Sequence, residues 1–204
     1  MTVYPNLRIP NSDRLKTITI VSGLPRSGTS MMMQMLEAGG MAILTDGLRE
    51  ADADNPRGYY EFERLKQLPK GDHAWLEEAQ GKAVKLIAAL LEHLPPDHRY
   101  KVIFMRRRME EVLTSQRRML VRRGEDPDKT DDEELARLFE KHLRKVEAWL
   151  AAQPHVDVLD VDYNAVLADP APHVRRINAF LGGFLDVAAM VAVVDARLYR
   201  NRET

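Results

Sequence analysis

The chain contains no cysteine. That excludes disulfides, a thiol nucleophile and thiolate metal sites, and it agrees with a cytoplasmic setting. No apolar run reaches the length needed to cross a bilayer, so no membrane span is expected. No sign of charge dominates. Thirty basic residues face 31 acidic ones, a formal net charge of −1, which argues against a broad basic footprint and against nucleic acid as partner. Repeats and low-complexity segments are missing. Met1 to Arg14 carries Pro5, Pro10 and polar residues where a signal peptide would carry its apolar core. No cluster of residue types suggests a metal site. What is there is ordinary for a globular protein: 45% hydrophobic and 30% charged residues. A length of 204 residues suffices for one α/β domain spanning 1–204.

One stretch organises the rest. Thr17 to Val21 alternates and is rich in β-branched residues, as a buried strand requires. Ser22 to Gly28 is a glycine-bearing turn, and Met31 to Ala38 reads as helix. Strand, glycine loop and helix in that order form a phosphate cradle, because loop and helix N–H groups converge where the helix dipole favours an anion. Gly23 and Gly28 are four residues apart, as in the nucleotide-binding pattern, yet Thr29 stands in the lysine position. The nearest fixed cation is Arg26, inside the loop.

Further along, Lys82–Ile87, Tyr100–Met105 and Val156–Val161 read as strands, the second a nearly continuous apolar run of the kind buried on both faces. Helices are expected over roughly 28–39, from Tyr59 to Glu63 onward, over 109–122, from a Thr130–Glu133 capping box to about Ala152, from Tyr163, over Pro170–Leu181 and over 186–194. Alternating strands and helices imply a three-layer αβα domain with a central parallel sheet, like that of P-loop nucleotide hydrolases. Ligands in such sheets bind beyond the strand C-termini. The glycine loop and Arg106–Arg108 both fall there.

Pro25-Arg26-Ser27-Gly28-Thr29-Ser30 resembles the 5′-phosphosulfate loop of the sulfotransferases, in its arginine variant from bacterial members. Those enzymes take 3′-phosphoadenosine 5′-phosphosulfate (PAPS) as donor. Arg107 and Ser115, eight residues apart, are similar to the family's pair that holds the donor's 3′-phosphate; Arg106 and Arg108 compete for the first role. Asn55–Glu61 and Tyr163–Gly182 also resemble stretches of bacterial members, so the likeness runs discontinuously over residues 20–182. The resemblance implies sulfuryl transfer to a hydroxyl or amine of a small-molecule or polymer acceptor, without a metal. It assigns Arg26, Ser27, Gly28, Thr29, Ser30, Arg107 and Ser115 to donor binding. Arg26 and Lys85 would also stabilise the leaving group, Lys85 matching the strand position of a lysine on the bridging oxygen.

The chain departs from the cytosolic members in two places. Ile87 stands where their catalytic histidine falls, and their C-terminal Arg-Lys-Gly motif is absent, although Arg197, Arg200 and Arg202 lie nearby. Glu61 is the expected general base, with Glu63 and Glu50 next. The aromatics Tyr59, Tyr60 and Trp75 and the methionine-rich first helix suggest an acceptor pocket of mixed character, but not its substrate. Two other readings stay open from sequence alone. One is a P-loop kinase-like phosphotransferase using Asp160 for Mg²⁺; the other is a non-catalytic nucleotide-binding protein on the same fold.

Overall fold

The computed structural model describes residues 16–47, 60–129 and 131–194. Five strands make one sheet: β1 Thr17–Gly23, β2 Ile43–Leu44, β3 Ala83–Lys85, β4 Arg99–Arg106 and β5 Val156–Asp162. Their order is β2-β3-β1-β4-β5, and every pairing is parallel. Seven α-helices are described: α1 Thr29–Ala38, α2 Trp75–Ala79, α3 Met109–Arg122, α4 Asp132–Ala151, α5 Tyr163–Ala168, α6 Pro170–Leu181 and α7 Val187–Val193. Two 3₁₀ helices, Glu63–Lys70 and Ala88–His93, complete the described elements.

The strand alternation divides the core into two layers. On one face Ile18, Ile20, Val84, Val102 and Phe104 pack with Trp75, Leu76, Val146 and Leu150. On the other, Val21, Ala83, Ile103, Met105 and Val161 pack with Met32, Met33, Met35, Ile177 and Met190. Both faces of β1 and β4 are thus covered by helices, which is why these strands are nearly all apolar. Lys101, the one basic residue inside β4, turns its Nζ to the Phe180 carbonyl at 2.6 Å, closing the C-terminal turn of α6. Burial lowers its pKa from the ordinary lysine value.

β1 lies in the middle of the sheet. From it the chain moves to the β2 edge, returns to β3, and then crosses to β4 on the other side. That reversal is a topological switch point, the place where sheets of this kind have their ligand crevice, here at the C-terminal ends of β1, β3 and β4. The glycine loop, Lys85 and Arg106–Arg108 sit along this edge.

Several expectations require correction. Over the described residues Tyr60–Phe62 no helix forms. The 3₁₀ helix starts at Glu63, and Glu61 precedes it, held by its carbonyl to the Thr45 hydroxyl at 2.8 Å and to the Asp46 N–H at 3.3 Å. The cap of α4 is Asp131, whose carboxylate accepts from the Glu133 N–H at 3.2 Å, one residue beyond the expected capping box. Trp75 is fully buried in the core and lines no acceptor pocket; Met32, Met33 and Met35 are core too, the usual place of a methionine cluster. Residues 1–15, Glu50, Asn55–Tyr59, Thr130 and Arg197, Arg200 and Arg202 lie outside the described residues.

Candidate active site

The glycine loop is held from within. Ser27 is buried, and its hydroxyl donates to the Leu24 carbonyl at 2.7 Å, tightening the turn. Gly23 has φ 147°, and a Cβ there would stand 2.6 Å from the Ser27 Oγ and 2.7 Å from the Met105 carbonyl. Gly28 caps α1 with φ 97° and no side-chain cap, and a Cβ on it would enter the Tyr163 ring at 2.3 Å. Both positions need glycine for space and for conformation. The first-turn N–H groups of α1 have no carbonyl to bond within the helix. With Thr29 and Ser30 opening that helix, the loop has the chemistry of an anion cradle.

Arg26 adopts a left-handed conformation, φ 68°. Its Nε donates to the Ser115 Oγ at 2.9 Å, 89 residues away. Its carbonyl accepts from the Arg107 Nη1 at 2.9 Å. Loop and distant arginine–serine pair are therefore joined by two bonds. Ser115 is buried in the second turn of α3, and the side chain of Arg107, the residue after β4, is 6% exposed. The Arg107 guanidinium lies 4.5 Å over the Tyr163 ring, and its Nε donates to the Glu111 Oε2 at 2.9 Å. Burial raises the Tyr163 pKa, while Arg107 and Arg26 pull it the other way.

The three consecutive arginines separate cleanly. Arg106 turns away to Asp160 and Glu147, each at 2.6 Å. Arg108 is 70% exposed, and its Nη1 stands 4.0 Å from Glu111. Arg107 is the member that turns into the loop. Alternating side-chain direction at the strand end accounts for the difference between neighbours. Asp160, the acid a kinase reading would need, is paired with Arg106.

At the β3 side of the crevice, the Lys85 Nζ lies 3.6 Å from the Glu61 Oε1, with side chains 11% and 29% exposed. Lys85 ends β3 and Glu61 follows from the β2 edge, so two separated segments meet above the sheet. Glu63 points elsewhere, pairing with Lys66 at 2.5 Å. Tyr60, with φ 54°, places its hydroxyl 2.5 Å from a Glu37 carboxylate oxygen on α1. Two partners were not identified from sequence. Glu111 stands in the first turn of α3, where an acid suits the helix dipole, although its spacing of four from Arg107 is also that of an ion pair. Asn164, whose Nδ2 donates to the Glu111 Oε1 at 2.7 Å, carries no sequence signal at all.

Comparison with known proteins speaks to the fold and the family. The sulfotransferase domain from the curacin biosynthetic pathway superimposes with a TM-score of 0.53 at 14% identity, covering 89% of this chain and 79% of that one. The sulfotransferase domain from the Synechococcus PCC 7002 olefin synthase gives 0.50 at 17% identity, with 97% and 86% covered. At such identities these likenesses speak for the fold. No curated protein matches the sequence significantly. A model of the sulfotransferase family matches residues 59–184, more than half of the chain and including Glu61, Lys85, Arg107, Glu111 and Ser115. The chain belongs to the sulfotransferase family and is a sulfotransferase.

Proposed function

We propose that this sulfotransferase takes its sulfuryl group from PAPS and passes it to a hydroxyl or amine acceptor by in-line displacement, working as one domain over residues 1–204. The observation that carries the proposal is the double link between Arg26 and the Arg107–Ser115 pair. It brings the glycine loop and the arginine–serine pair side by side at the C-terminal edge of the sheet, which supports a donor phosphorylated at both its 5′ and 3′ positions. The Gly28–Ser30 N–H groups and Arg26 take the 5′-phosphosulfate. Arg107 and Ser115 take the 3′-phosphate, through paired N–H donors and a hydroxyl.

The donor brings an activated sulfur whose bond to the phosphate oxygen breaks as the bond from the acceptor forms. The protein's part is positioning, charge and proton removal. Glu61 takes the acceptor proton. Lys85, paired with it across 3.6 Å, fixes the carboxylate in place and sets a cation beside the departing phosphate oxygen. Arg26 offers the second cation there. The acceptor enters from the Glu61 side of the crevice, so a small molecule or an exposed group on a polymer can reach it. The kinase alternative loses support because Thr29 replaces the loop lysine and Asp160 is engaged by Arg106.

Release of 3′,5′-adenosine bisphosphate from PAPS, measured chromatographically with pooled phenol, alcohol, sugar and amine acceptors, tests the reading. Acceptor-dependent release is expected, falling by about 10²-fold or more in Glu61→Gln, as loss of a general base implies, with nucleotide binding intact. Equal turnover in Glu61→Gln would remove Glu61 from the role.

A further inference from the structure

The two arginines of the site are both anchored by one helix, and one of the anchors is an acid. α3 presents Glu111 and Ser115 four residues apart, on one face and one turn after the other. Both are 4% exposed. Ser115 takes the Arg26 Nε and Glu111 takes the Arg107 Nε, each at 2.9 Å. Behind Glu111, Asn164 from α5 donates to its other oxygen at 2.7 Å. A carboxylate beside an intended phosphate site is at first sight adverse, since it repels the ligand. Its burial gives the reason for its presence. A guanidinium that is 6% exposed pays a large desolvation cost unless a counter-charge stands beside it. Without Glu111, Arg107 would gain by turning out to water, away from the Arg26 carbonyl and the Tyr163 ring.

We infer that Glu111 is the positioning residue of the 3′-phosphate site. Backed by Asn164, it holds Arg107 inside the fold with its guanidinium plane fixed, so that the ordering is done before the donor arrives. Arg107 then discriminates donors that carry a 3′-phosphate from nucleotides that lack one. The inference rests on the PAPS reading above and adds to it a residue that touches no part of the donor.

The test is calorimetric titration of the full chain with 3′,5′-adenosine bisphosphate and with adenosine 5′-monophosphate. The ratio of their affinities isolates the 3′-phosphate, and a general loosening of the fold would lower both together. In Glu111→Gln the ratio should fall by about tenfold or more, the scale of a lost hydrogen bond to a charged group, while monophosphate affinity stays within about twofold. In an Arg107→Ala background, Glu111→Gln should change the ratio no further, because it acts through Arg107. An unchanged ratio in Glu111→Gln, or a full additional loss in the Arg107→Ala background, overturns the inference alone. A wild-type ratio near unity overturns the donor reading as well. Should Glu111→Gln fail to fold, Asn164→Ala leaves both charges in place and must still lower the ratio, by less; no change there also overturns the inference.

Discussion

At the scale of single residues, the glycine loop is the most constrained part of the chain. Gly28 is bounded by the Tyr163 ring and adopts a positive φ, so Gly28→Ala combines strain with collision. It should cost about 2 kcal/mol or more in chemical unfolding. Gly124→Ala meets nothing within 4 Å at φ 69° and should show the strain alone, about 1 kcal/mol. Equal losses at both positions would mean that Tyr163 is free to move aside. This level was partly legible in the sequence. Gly23, Arg26 and Gly28 announce themselves because a tight turn admits few residue types. Arg107 could not be told from Arg106 and Arg108, since the choice depends on where Asp160, Glu147 and the loop stand in space. Trp75 misled for the same reason: an indole reads alike in a pocket and in a core.

Secondary-structure elements show where local pattern suffices and where it does not. α3 and α6 follow the expected ranges closely, because capping charge, helical spacing, proline and glycine agree there. β2 went unseen, two residues long and dependent on β3 for its pairing. The 3₁₀ helix over Glu63–Lys70 contains Pro69, which blurs any helical period. α4 carries an apolar stripe along its whole length, yet only Val146 and Leu150 are buried, and Leu138 is 52% exposed. The helix docks by its C-terminal half, against the sheet face that holds Phe104 and Val102. Leu150→Ala is therefore expected to cost about 2–5 kcal/mol, and Leu138→Ala less than about 0.5 kcal/mol, in denaturant titrations. Comparable losses at both would show that the N-terminal half is also packed.

Across the whole molecule, the parallel sheet covered on both faces was foreseeable from the alternation of strands and helices, but its switch point was not. The resemblance put residues 26, 107 and 115 on one donor, but the place of Glu111 and Asn164 beside them was not legible, because it is a product of strand order. Burial also sets an alkaline limit. Desolvation raises the phenols of Tyr100 and Tyr163 above the ordinary tyrosine value. Their neutral forms are favoured in the folded state. The stability they contribute is fully present below the unfolded pKa of about 10 and is lost as pH climbs through the folded values. Unfolding free energy should fall above about pH 10, and more gently in Tyr163→Phe; a parallel decline in both proteins would remove Tyr163 from the account.

The central claim is that the glycine loop and the Arg107–Ser115 pair form one site for a nucleotide phosphorylated at 5′ and 3′. Thermal unfolding of the purified protein with 3′,5′-adenosine bisphosphate, and in parallel with ATP and Mg²⁺, tests it most directly. A hundredfold excess over the dissociation constant should stabilise the protein by about 2.7 kcal/mol, with the gain lost in Arg26→Ala and in Arg107→Ala. Stabilisation by ATP and Mg²⁺ alone, or by neither nucleotide, would contradict it.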